Sequence, residues 1–133
     1  MSAKNEYMLL FVSNEWYNQL PESELRQAAA QAKAWLENLI NRGVAQHGLA
    51  LVRNGARVTG KASRVITDGP YPESKEAVGG FMTLKADSLE EAAAIAQTNP
   101  MVEYGVTIEI RQTAEACPLD ARLRELEPAT AAA

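Results

Sequence analysis

The run Tyr7-Met8-Leu9-Leu10-Phe11-Val12 is apolar at every position. It is too short for a core helix, and Ser13-Asn14 after it is a turn signal, so it reads as a strand. Side chains alternate along a strand, so an unbroken apolar run needs cover on both faces of its sheet. This requirement limits what the rest of the chain can build.

Two amphipathic helices are available as cover. The first is predicted from roughly Glu22 to Asn41. Pro21, Glu22 and Glu24 suit its first turn, and Leu25, Ala28, Ala29, Ala32, Leu36, Leu39 and Ile40 draw one apolar stripe. Arg42-Gly43 ends it, with a cation in the last turn and glycine at the cap. The second opens on the capping box Ser88-Leu89-Glu90-Glu91, carries Leu89, Ala92, Ala93 and Ala96 on one face, and stops at Asn99-Pro100.

The remaining segments read as strands. Val44 to Val52 is a second strand interrupted near His47-Gly48, and Val58 to Thr67 is a third with Gly60 as a possible bulge. Asn54-Gly55 between them is a hairpin signal, because both residue types tolerate positive φ. Gly80 to Ala86 is a fourth strand, and the alternating Val106-Thr107-Ile108-Glu109-Ile110-Arg111 is the last.

The order β, α, β, β, β, α, β, with the second and third strands taken as a hairpin, is an α+β chain. It predicts a ferredoxin-like split βαβ antiparallel sheet with both helices on one face. The other face is left bare, and a second copy of the chain is its simplest cover. The expectation is therefore a homodimer. Residues 1–113 form the domain. Residues 114–133 are an extension in which Leu119, Leu123 and Leu126 fall at helical spacing before a biased, fraying tail from Pro128.

Composition removes several function classes. A net charge of −4 argues against nucleic acid, and the loose basic run Arg53, Arg57, Lys61, Arg64 reads as a solvated hairpin. The N-terminus lacks a signal peptide, and no segment is long enough to span a membrane, so a cytoplasmic protein is expected. The single cysteine, Cys117, and the single histidine, His47, do not supply a zinc site. There is no phosphate-binding glycine loop and no calcium-loop spacing, so no metal and no cofactor are expected.

Chemistry concentrates in Asp68-Gly69-Pro70-Tyr71-Pro72-Glu73-Ser74-Lys75-Glu76. Asp68 on a stiff Gly-Pro turn can serve as a general base, or as an Asx-turn acceptor that only holds the turn. Tyr71 can donate to a ligand or simply pack. Glu73, Lys75 and Glu76 can rim a pocket or pair on the surface. Glu109 and Arg111 share one sheet face, where they are a buried pair, ligand-binding groups or solvated charges. His47 is either an assisting catalytic group or a partly buried strand residue. Cys117 reads as a passive thiol rather than a nucleophile.

These segments resemble the YCII-related family, in the subgroup named for an Asp-Gly-Pro-Phe signature. The resemblance rests on Tyr7-Met8-Leu9-Leu10, Asp68-Gly69-Pro70-Tyr71, Glu73-Ser74-Lys75-Glu76, Gly79-Gly80-Phe81, Asp87-Ser88-Leu89-Glu90-Glu91-Ala92, Asn99-Pro100-Met101-Val102 with Gly105-Val106, and Ile108-Glu109-Ile110-Arg111, in family order over about residues 6 to 112. It implies a dimeric α+β barrel. A few relatives are linked to HCl elimination from chlorinated hydroxyquinols, and some sit beside sigma-factor genes. The founding proteins carry a histidine in the first helix with an aspartate as a suspected catalytic pair. Here the histidine, His47, lies in the second strand, and Tyr71 stands where phenylalanine is usual.

Two functions remain open on the sequence. In one, the protein is a cofactor-independent enzyme of lyase or isomerase type acting on an aromatic or enol-type metabolite. Asp68 is then the base, with His47 or Tyr71 assisting. In the other, it is a non-enzymatic ligand-binding or regulatory module. Convergence of Asp68, Tyr71 and His47 on one cavity would separate them.

Overall fold

The computed structural model describes residues 5–13, 16–52, 54–59, 65–68 and 77–127. Strand β1 (Asn5–Ser13) is followed by a 3₁₀ turn at Trp16–Gln19 and helix α1 (Glu22–Asn41). Strands β2 (Ala45–Ala50), β3 (Ala56–Thr59), β4 (Val65–Asp68) and β5 (Ala77–Ala86) come next. Helix α2 (Leu89–Gln97), a 3₁₀ segment Pro100–Tyr104, strand β6 (Thr107–Gln112) and helix α3 (Pro118–Glu125) complete the chain.

Helix α1 begins just after Pro21 and ends on Arg42, with Gly43 at φ +74° in the left-handed region that closes the last turn. The Ser88 hydroxyl accepts from the Glu91 backbone N–H at 3.1 Å, which caps α2 as its spacing predicts.

The main sheet is antiparallel and four-stranded, in the order β2-β5-β1-β6. This is the ferredoxin-like split βαβ arrangement, with β1 inside the sheet as its apolar run requires. Both helices pack on one face. Tyr7 and Leu9 of β1, Met82, Leu84 and Ala86 of β5, Leu39 of α1, and Ala92 and Ala96 of α2 form the buried core. Leu84 is 0% exposed at its centre. Leu84→Ala is expected to lower unfolding free energy by about 2–5 kcal/mol, since it combines lost apolar transfer with a cavity. Urea unfolding at fixed protein concentration measures this, and a loss well below that range would mean the site collapses freely.

One predicted pairing is corrected. The segments Val44–Val52 and Val58–Thr67 do not form a hairpin. Strand β2 instead pairs with β5, His47 opposite Thr83 and Leu49 opposite Phe81, and the pairing continues through a Leu51 N–H to Gly79 C=O bond of 2.9 Å. The predicted third strand is split into β3 and β4, which pair with each other in a separate two-stranded sheet, Ala56 opposite Asp68. Gly55 lacks the positive φ that a tight Asn-Gly turn would need. Long-range burial along β5 outweighs the local turn preference, because pairing there buries Ala45 opposite Leu84. A bulge between Ala45 and His47 shifts the register, so that Ala45 lies opposite Leu84 and His47 opposite Thr83.

Among the described residues, neither α1 nor α2 packs on the second sheet face. Across-strand register gathers Met8, Leu10 and Val12 of β1 with Phe81 and Val78 of β5 and Leu49 of β2. Leu49 is 67% exposed and Val78 42%. Glu109 and Arg111 flank this patch, opposite Leu10 and Met8.

Candidate functional site

A cavity of about 680 Å³ lies between α1, the β2–β5 side of the sheet and the two 3₁₀ segments. It follows from residue sizes. Gly48 of β2 and Gly80 of β5 lie on its lining, with Phe11, Ala45 and Met82 from the core side. A Cβ on Gly48 would sit 3.0 Å from both the Met82 Cβ and the Phe81 carbonyl oxygen, and one on Gly80 would sit 3.1 Å from the Leu49 carbonyl oxygen. The backbones therefore approach closely here, and a flat floor results. Above it, α1 contributes Ala32, Lys33, Trp35, Leu36 and Ile40.

These helix residues explain why the α1 stripe is only partly core. Ala28 and Leu39 are buried, whereas Leu36 and Ile40 remain 39% and 51% exposed because they border the cavity. Trp16 and Tyr17 line it from the first 3₁₀ turn, and Asn99, Met101 and Val106 from the second and its flanks. Trp16 is held from behind by Tyr104, stacked at 5.1 Å with a 14° interplanar angle, and meets Tyr17 edge-on at 5.8 Å. Both tryptophans of the chain and Phe11 line this cavity. Among the described residues that line it, the polar ones are few: Lys33, Gln46, His47 and Asn99, besides Tyr17. Such walls suit a flat, largely apolar molecule with a small number of polar atoms.

The predicted site residues divide into three groups. His47 lines the cavity from the edge strand β2, is exposed, and donates its backbone N–H to the Thr83 hydroxyl at 3.3 Å. Asp68 closes β4 opposite Ala56, and its side chain lies outside the description. Tyr71, Glu73, Lys75 and Glu76 fall outside the described residues. Glu109 and Arg111 lie on the bare sheet face with 3.6 Å between them, both largely exposed, and neither lines the cavity. Cys117 is exposed just before α3 and is also away from the cavity lining.

Sequence reasoning missed the aromatic walls, the glycine floor and Asn99. The available signals were Gly48 and Gly80 inside strand patterns, which mark close backbone approach.

The family model for the YCII-related domain matches residues 6–118. The chain belongs to the YCII-related family. The match takes in every strand of the four-stranded sheet, both sheet-packed helices and the cavity-lining residues. No curated protein matches the chain. Among the described residues, no helix is long and apolar enough to cross a membrane, and no cluster of His, Cys, Asp or Glu could hold a metal ion.

Proposed function

We propose that this YCII-related protein binds a small aromatic or enol-type metabolite in the cavity beneath α1. The observation that carries this reading is the aromatic wall formed by Phe11, Trp16, Tyr17 and Trp35 over the Gly48 and Gly80 backbone. Flat walls around a flat floor favour planar ligands, and scarce polar groups favour mostly apolar ones.

The Asp68-Gly69-Pro70-Tyr71 signature supports placing the chain in the Asp-Gly-Pro-Phe subgroup. It also supports a cofactor-independent reaction of lyase or isomerase type, in which Asp68 takes a proton from the ligand. His47, already at the cavity, is the assisting acid or base, and Tyr71 is a hydrogen-bond donor. A purely ligand-binding or regulatory module is the second reading, favoured by how apolar the described lining is. In either case the protein acts as a cytoplasmic homodimer, with the bare faces of two sheets closed on each other into a barrel.

The cavity is tested with 2-acetylnaphthalene. The chain has 2 tryptophans and both line the cavity, so their indole N–H signals give a local NMR reporter. Saturable shifts of both are expected. Ala32→Phe, which puts a ring into the space beside α1, is expected to weaken binding about tenfold or more while leaving the fold intact. Absent shifts, or shifts insensitive to Ala32→Phe, would sink the cavity reading.

A further inference from the structure

The described lining of the cavity is one-sided in charge. Lys33 is its only lysine or arginine, and no aspartate or glutamate belongs to it. The chain as a whole carries −4, so this local sign runs against the overall field. A lone lysine on a helix is ordinarily part of a solvated face, and two observations on α1 count against that here.

The first is position. Lys33, Leu36 and Ile40 stand at i, i+3 and i+7, which puts them on one stripe of the helix. Leu36 and Ile40 border the cavity, and so does Lys33. The second is pairing. Arg26, the other cation within α1, meets the Glu22 carboxylate one turn before it at 3.8 Å. Glu37 stands one turn after Lys33, yet among the described residues Lys33 forms no ion pair, and Glu37 does not line the cavity.

Lys33 is exposed, so its ammonium is open to a ligand. A lysine at the border of an apolar surface lays its methylene stem along that surface and keeps its charged head in water. The charge therefore belongs to the mouth of the cavity, not to its glycine floor. An anion held there keeps part of its hydration, whereas the same anion deep among the aromatic walls would lose it.

We infer that Lys33 is a specificity-determining residue: it selects planar ligands that carry an anionic oxygen, a carboxylate, phenolate or enolate. The oxygen lies at the mouth beside α1, and the ring lies among the aromatic walls. The inference rests on the cavity reading above and narrows its ligand to an acid.

2-Naphthoate and 2-acetylnaphthalene share size and shape and differ in charge. Affinities for both are read from the tryptophan indole signals. Lys33→Met removes the charge and keeps an unbranched, helix-compatible side chain, so the fold is expected to persist. It is expected to weaken 2-naphthoate about three- to tenfold and 2-acetylnaphthalene by less than about twofold, between the effects of an exposed ion pair and of a charge-assisted hydrogen bond. Lys33→Arg keeps a cation and is expected to hold 2-naphthoate within about twofold of the wild type. Added salt is expected to weaken 2-naphthoate in the wild type and to change it little in Lys33→Met. His47, the other lining residue able to carry positive charge, is the same in every variant, so the difference reads Lys33 alone. Equal losses for the two probes, or 2-naphthoate binding that Lys33→Met leaves unchanged, overturn the inference and return Lys33 to the solvated face. A wild type that binds 2-acetylnaphthalene but not 2-naphthoate also overturns it and leaves the cavity reading standing. A wild type that binds neither probe overturns the cavity reading, and the Lys33 assignment with it.

Discussion

Leu10→Glu is expected to convert the proposed dimer into a monomer. Leu10 lies mid-face on β1, between Phe81 of β5 and Glu109 of β6, on the side of the sheet that neither packed helix covers. Two such faces brought together would bury Met8, Leu10, Val12 and Phe81 against their equivalents. A carboxylate at position 10 would lose its hydration there and face Glu109, a like charge directly across the strand. In a two-fold interface the penalty applies twice, so the loss is of order several kcal/mol and exceeds what a modest dimer can absorb. Light scattering at micromolar concentration is expected to give twice the 14.4 kDa chain mass for the wild type and the chain mass for the variant. A monomeric wild type, or a variant that still dimerises, contradicts the proposed assembly.

Asp68→Asn is expected to keep the fold and the proposed dimer and to lose the proposed proton abstraction. Asparagine makes the same local turn contacts as aspartate, so the strand end it closes, paired with Ala56, is preserved. An amide is no base at neutral pH. Loss of a positioned general base reduces turnover by about 10²–10⁴-fold. Deuterium exchange at the acidic C–H of phenylpyruvate in D₂O, followed by NMR, supplies a reaction of the proposed class. The wild type is expected to accelerate exchange, Asp68→Asn to lose most of that acceleration, and both to bind 2-acetylnaphthalene alike. If Asp68→Asn unfolds the protein, or exchanges at the wild-type rate, Asp68 is a turn residue and the ligand-binding module is the better reading.

Which features could be read from the sequence follows from the range of the interactions behind them. The bounds of α1 were legible because Pro21, the first-turn glutamates and Arg42-Gly43 act within one turn of the helix ends. The start of α2 was legible for the same reason: the Ser88 cap is an i to i+3 contact. The need for cover on both faces of β1 followed from side-chain alternation, and its place inside the sheet from the pairing. The Asp68 loop drew attention through its residue types, but residue types do not say where side chains converge, and the loop after Asp68 falls outside the described residues.

The two sheet-packed helices and the four strands of the main sheet were thus legible in the sequence, through local capping and periodicity. Three things were decided only by tertiary structure. The strong Asn54-Gly55 signal did not pair β2 with its sequence neighbour, because β5 offers a longer partner with a buried face at Met82 and Leu84. The α1 stripe reads as uniform core, yet Leu36 and Ile40 border a cavity, because Gly48 and Gly80 supply no side chains to meet them. Asn99 reads as a helix stop, and its idle donor becomes visible only when Ala96, Met101 and Val102 are seen to use up its other groups. Each of these outcomes turns on atoms brought together by the fold, and residue order carries no record of what side chains leave empty or unpaired.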